Sequence, residues 1–380
     1  MSIPQNYTNY LSTNLSSLSL IILTTIVFLI PPIGIRGELI YGFTLISIGL
    51  ALFSRTKIPV SSFVPLFITI LLAIINLQYT FLLTSLIIFY AGLLINNKQL
   101  HIPISFIFTL SIVACMQIVI TELFNTDGRV GFYNDPNFTA LKIMYFIMIN
   151  IGIAYSNISQ IYKGYLLTFS IILFYFTLLL TVSRMLALMG LIVFVIYVSN
   201  LQKIFVVKNI LKYIRLRPYF SYLFINFCFL FISQIVLDYI GFEFGLGGSD
   251  NIIDRMTNVN DQSVFGRLTA NVFWISEIFS SEYILSGLHS EEILIEEYPL
   301  LPHNSVLYSI AMESWAYFFA CSYFAVWMIS KLNNDLFYIV YFPFLLAGIV
   351  LHGSLSPFYL MCIVLVVIII NTINKNKKNI

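Results

Sequence analysis

The chain has 380 residues, 59% of them hydrophobic and 9% charged, with a mean hydropathy of +0.92 and a formal net charge of +2. Soluble domains carry roughly a quarter charged residues, so a water-soluble globular protein is excluded. A nucleic-acid binder is excluded too, because the few basic residues stand in short clusters without interleaved aromatics.

A helix needs about 20 apolar residues to cross a hydrocarbon core of about 30 Å. The first 17 residues are uncharged, and the run Leu18 to Ile30 lacks the basic lead and small-residue cleavage site of a signal peptide. That run is therefore read as an uncleaved first span. Apolar runs lie near 18–35, 38–53, 59–77, 79–95, 102–120, 137–155, 164–182, 184–199, 220–240, 305–330, 336–351 and 354–371. Three longer stretches, 59–95, 164–199 and 336–371, would each make one helix of about 54 Å if continuous. Each is expected to fold back on itself, near Asn76–Gln78, Ser183–Arg184 and His352–Gly353–Ser354. The expectation is one all-α polytopic membrane domain over 1–380, with about twelve transmembrane helices. The four cysteines (Cys115, Cys228, Cys321, Cys362) all fall within these runs. Their spacing suits neither a secreted disulfide framework nor a metal site.

Lys and Arg are retained on the cytoplasmic side. The segment Asn200 to Tyr219, read as a loop, carries Lys203, Lys208, Lys212, Arg215 and Arg217 and no acid, and the tail carries Lys375, Lys377 and Lys378. The stretch Gly241 to Ser305 has the opposite character: ten carboxylates, two arginines and no lysine. Crossings counted from either basic segment put Arg55, Lys57, Lys98, Lys163, Lys331 and both termini inside. They put 121–136 and one large loop, 241–304 between spans 9 and 10, outside. Within that loop Gly245 to Asn260 reads as irregular, and Leu268 to Phe279 and Glu291 to Glu297 as short helices at the membrane surface.

Few basic residues fall outside near the membrane: Arg36, Arg129, Lys142, Arg184, Arg255 and Arg267, with His303 beside them. Arg184 stands at an outer hairpin tip between two apolar helices, where it either snorkels to the interface or pairs with an anion. Arg presents a rigid fork of donors that fits phosphate oxygens. Arg267 precedes an amphipathic stretch containing Trp274; an ion pair with one of the nearby acids is the plainer reading. His303, in Pro302-His303-Asn304, stands where the loop re-enters the membrane. Its imidazole suits proton transfer near neutral pH, or else a structural role. Asn137, in the turn-rich Arg129-to-Asn137 segment, is placed to cap the sixth span. Lys142 and Glu313 are charges inside apolar runs, which are usually paired or functional; a mutual pair is one option.

Taken in order, these pieces resemble the O-antigen polymerase and ligase family of bacterial envelope enzymes (Wzy-type and WaaL-type). The resemblance rests on Arg129 with Asn134-Asp135-Pro136-Asn137 before a span and Thr181-Val182-Ser183-Arg184 at an outer hairpin. It continues with Ser263-x-x-x-Arg267, Trp274, Ser286-Gly287 and Pro302-His303-Asn304-Ser305. It covers roughly residues 120 to 350, by order and spacing. A second glycine would be more usual at Gly287-Leu288-His289. The resemblance implies a GT-C-like membrane glycosyltransferase using undecaprenyl-diphosphate-linked sugars at the periplasmic face of the bacterial inner membrane. Arg184 and Arg267 would bind the diphosphate and His303 would activate the acceptor hydroxyl. Asn137 and Asn304 would shape the site, with Arg129, Lys142 and Glu313 supporting it.

No external Asp-x-Asp pair is present to hold a divalent ion, so a metal-independent, inverting transfer without a cofactor is expected. The favoured activity is polymerisation, with a lipid-linked glycan and the bilayer as partners and a chain-length regulator as a further one. A ligase acting on lipid A–core or protein is the alternative within the class. A lipid-linked oligosaccharide flippase is the alternative outside it, although transporters tend to show internal repeats.

Overall fold

The computed structural model describes residues 5–29, 37–52, 58–97, 100–124, 136–155, 158–199, 205–240, 262–279, 281–288, 302, 304–351 and 353–376. Regular structure among them is helical throughout. In order the helices are α1 (Gln5–Leu29), α2 (Gly37–Ala51), α3 (Val60–Asn76), α4 (Tyr79–Ile95), α5 (Ile104–Leu123), α6 (Pro136–Ala154), α7 (Gln160–Thr181) and α8 (Arg184–Ser199). There follow α9 (Phe205–Leu216), α10 (Pro218–Ile240), α11 (Gln262–Glu277), α12 (Ser305–Met312), α13 (Trp315–Ile329), α14 (Asn334–Val350) and α15 (Pro357–Asn376). Among the described residues one 3-10 turn is present, Ser281–Tyr283.

Five of these helices, α5, α6, α7, α10 and α15, are long and apolar enough to cross a membrane, and seven shorter apolar helices accompany them. The chain is thus an all-helical protein of membrane character. Each long apolar stretch of the sequence is interrupted near the expected place. Leu77 adopts φ 53° between α3 and α4, and Val182 adopts φ 47° between α7 and α8. Gly353, at φ 70°, lies between α14 and α15. Gly tolerates a left-handed backbone freely, whereas a β-branched residue such as Val182 holds one only under constraint from its surroundings.

Two readings of the sequence are corrected. The apolar run 305–330 is not one helix: it breaks after Met312, and Glu313 and Ser314 separate α12 from α13. The basic segment 200–219 is not a plain loop, because α9 occupies 205–216 and α10 begins at Pro218. Here Leu211 and Ile214, three residues apart on one helical face, are buried while Ile210, Tyr213 and Leu216 are exposed. Gly245 to Asn260, Glu291 to Glu297 and the basic residues Arg55, Lys57, Lys98 and Lys203 lie outside the described residues.

Helices α6 and α15 form the centre. Every residue of α6 from Thr139 to Ala154 is buried, and α15 is buried along most of its length. A helix apolar all round belongs in an interior. The two touch closely: a Cβ on Gly152 would fall 2.4 Å from Ile370 Cδ1. Around them α4, α7, α8, α13 and α14 pack directly on one or both. Some buried polar side chains pair within this core, as where Ser111 Oγ donates to Asn150 Oδ1 at 3.0 Å, while Asn150 Nδ2 and the Tyr145 hydroxyl make no hydrogen bond among the described residues.

Contacts sort helix ends into two groups. At one end of the bundle Tyr155, just after α6, donates to the Asp335 carboxylate at the start of α14. Burial, and then that carboxylate, hold the Tyr155 phenol above its usual range. Arg215 of α9 donates to the Leu332 carbonyl at 2.6 Å and lies 4.5 Å from the centre of the Phe337 ring. Tyr338 and Tyr341 of α14 donate to the carbonyls of Leu211 and Pro218 at 2.7 and 2.8 Å. At the opposite end meet the starts of α4, α6, α8, α12 and α15 and the ends of α3 and α14, and the candidate site is built there.

Candidate functional site

The site begins with two short sequence motifs that are 46 residues apart and share a hydrogen bond. Ser183 precedes α8; its Oγ accepts the Leu186 N–H at 3.3 Å and donates to Asn137 Oδ1 at 2.9 Å. Both residues are buried. Arg184 is the first residue of α8 and is half-buried. A helix start offers unpaired N–H groups and about half a positive charge, so guanidinium and helix end together favour an anion.

Asn137 does not cap α6. The helix starts at Pro136, whose fixed φ and missing N–H suit a first helical position. Asn137 therefore falls in the first turn, with its amide turned to Ser183. Phe138 next to it stacks on Tyr359, whose hydroxyl donates to the Phe138 carbonyl at 3.1 Å.

Asn304 does cap a helix. Its Oδ1 accepts from Val306 N at 2.8 Å and Leu307 N at 3.4 Å, and its Nδ2 donates to the Ile349 carbonyl at 3.2 Å. Ser305 donates to the Leu351 carbonyl at 2.6 Å and pairs with Ser354. The segment opening α12 is thereby fixed to the end of α14. Asn304→Ala removes a cap, which costs about 0.5–2 kcal/mol, and leaves a buried carbonyl unpaired for about 1–3 kcal/mol more. A clear drop in the thermal midpoint of the detergent-purified protein is expected. Asn304→Asp, which keeps the cap but loses the donor, should fall between the two.

Arg129 and His303 lie outside the described residues, as do Arg36 and Arg255. His303 is bracketed by two described residues, Pro302 and Asn304, both buried. Arg267 lies within α11, on the same helical stripe as Asn271, Trp274 and Ile278, all three buried; its side chain is outside the described residues. α11 packs on α10 and α12. Lys142 is 5% exposed on α6. Glu313 sits at the break between α12 and α13 and lines a cavity there.

Sequence reasoning missed that break. In an unbroken helix the Ala311 carbonyl would accept from Trp315 and Ala316 would donate to Met312. Instead Leu288 N donates to the Ala311 carbonyl at 2.9 Å, and Ala316 N to the Ile284 carbonyl at 3.2 Å. Gly287 permits this approach, since a Cβ there would lie 2.4 Å from the Met312 carbonyl carbon and oxygen. The signal was present as Glu313-Ser314, an acid followed by a capping residue inside an apolar run.

No family model, curated protein or solved structure matches the chain.

Proposed function

We propose that this protein is a membrane glycosyltransferase of the O-antigen polymerase type, acting at the periplasmic face of a bacterial inner membrane. On this reading the chain crosses about twelve times, with both termini inside and the Ser183–Asn137 end outside. The carrying observation is the hydrogen bond that joins Ser183-Arg184 to Asn137. It unites two motifs of the family resemblance at one end of the bundle, where α12, which follows Pro302-His303-Asn304, also starts.

The chemistry is a displacement at an anomeric carbon. An acceptor hydroxyl oxygen attacks that carbon from the face opposite the diphosphate, and the new C–O bond forms as the bond to the diphosphate oxygen breaks. The electron pair leaves with undecaprenyl diphosphate and the hydroxyl proton passes to His303. Negative charge grows on the leaving group, so fixed guanidiniums at Arg184 and Arg267 assist the transition state more than the ground state. Arg129, Lys142, Asn137, Asn304 and Glu313 support the site.

A gel of surface polysaccharide from a strain lacking this protein tests the proposal. The expected product is lipopolysaccharide carrying one repeat unit. Polymer retained on its lipid carrier would instead identify a ligase. The helix break at Glu313-Ser314 favours one further reading, because broken helices are also common at transporter binding sites. Loss of every external intermediate would identify that activity, a lipid-linked oligosaccharide flippase.

A further inference from the structure

The break between α12 and α13 opens onto a cavity of about 320 Å³ whose described lining does not include Arg184. Glu313 lines it together with Tyr79, Tyr308, Ser309, Tyr317 and Ser356. The volume sits at the lower end of small-molecule sites, about 300–1,000 Å³. Non-helical backbone at membrane depth is tolerated where it lines a cavity or is buried in protein. Here the 284–288 segment holds the break open through the two backbone hydrogen bonds at Ala311 and Ala316.

We infer that this cavity binds a neutral, hydroxyl-rich sugar residue of the lipid-linked acceptor, with the Glu313 carboxylate accepting hydrogen bonds from its hydroxyls. The inference rests on the glycosyltransferase reading and assigns the acceptor side of that site. Its chemistry is on the lining. A carboxylate offers about four acceptor positions, so an internal contact leaves others for a ligand. The hydroxyls of Ser309 and Ser356 donate or accept as a sugar requires, and the tyrosine rings supply flat apolar walls. The Tyr317 ring is held in place through its hydroxyl, which pairs with Thr84 at 3.2 Å and donates to the Leu355 carbonyl at 3.3 Å. An acidic sugar would place a second negative charge beside Glu313 and is disfavoured.

The cavity is also tied to the anion-favouring end of α8. Gly353 lines it, and a Cβ there would lie 3.7 Å from Phe138 and 3.8 Å from Tyr308. Phe138 follows Asn137, the partner of Ser183. Acceptor and donor sides are therefore joined through one residue of the turn before α15.

The test uses the detergent-purified full-length protein. Polymerised lipid-linked glycan serves as donor, and lipid-linked single repeats extracted from the deletion strain serve as acceptor. Glu313→Gln should raise KM for the single repeat by roughly ten- to a hundredfold, the loss of one charge-assisted hydrogen bond, with the donor KM unchanged. Ser309→Leu, which fills the cavity while keeping the carboxylate in the chain, should shift the same parameter in the same direction. Unaltered acceptor KM in both variants, with the wild type polymerising, would overturn the inference alone. A sodium dependence of activity lost in Glu313→Gln would overturn it too, by identifying a cation site. A deletion strain with unchanged polysaccharide would overturn the inference and the functional proposal together.

Discussion

Alanine at His303 is expected to stop glycan elongation while the protein still inserts and accumulates at wild-type level. A positioned general base contributes typically 10²–10⁴-fold, enough to turn a ladder of polymer into single repeats on a gel. Near-normal chain length in this variant would end the assignment of His303 as base. Lysine at Arg184 or Arg267 tests the other half of the chemistry. Lysine keeps the charge but not the planar fork of donors, so neither variant should restore wild-type polymer. The effect should be greatest at Arg184, which opens α8 directly after Ser183, the partner of Asn137. Full activity in both lysine variants would reduce these residues to interfacial anchors.

The second large effect is structural. Gly287→Ala places a methyl group 2.4 Å from the Met312 carbonyl and 2.5 Å from Glu313 N, both backbone atoms that cannot rotate aside. Overpacking costs typically about 1–3 kcal/mol. Displacing the segment also breaks the bonds at Ala311 and Ala316, each worth about 1–3 kcal/mol when buried groups are left unpaired. The thermal midpoint should therefore fall well below that of Leu285→Ala, a change at an exposed neighbour. Activity should fall with it, because the break carries Glu313. A Gly287→Ala protein as stable as wild type would show that the segment is not what holds the helix open.

How much of this was legible in the sequence differs from element to element. The apolar runs marked nearly every helix, and the boundaries at Tyr79, Ile95, Arg184 and Ser199 agree to the residue. They could be read because hydrocarbon-length runs end where polar groups begin. The break at Glu313-Ser314 left only a local trace, the acid and the capping residue themselves, since its cause lies 26 residues upstream in Gly287, whose effect depends on tertiary contact. The start of α6 was shifted by one position for a local reason: Pro136 preferred the first helical place, and Asn137 was left to bond Ser183. That bond joins residues 46 apart, a distance at which no periodicity in the chain carries information.

Helix α6 has only modest hydropathy, 1.4 against 2.2 for α15, and carries Asn137, Lys142 and Asn150. Yet α15, which covers it, begins only at Pro357 and leaves the ribosome well after α6. A lysine exposed to acyl chains at a helix centre costs about 2.5–3.5 kcal/mol. Until α15 has emerged, the middle of the nascent protein therefore needs a stand-in for it, supplied by the insertion machinery or by a groove kept wet. A stop codon before Pro357 would remove that cover permanently, and such a product should be cleared by membrane proteases before it accumulates.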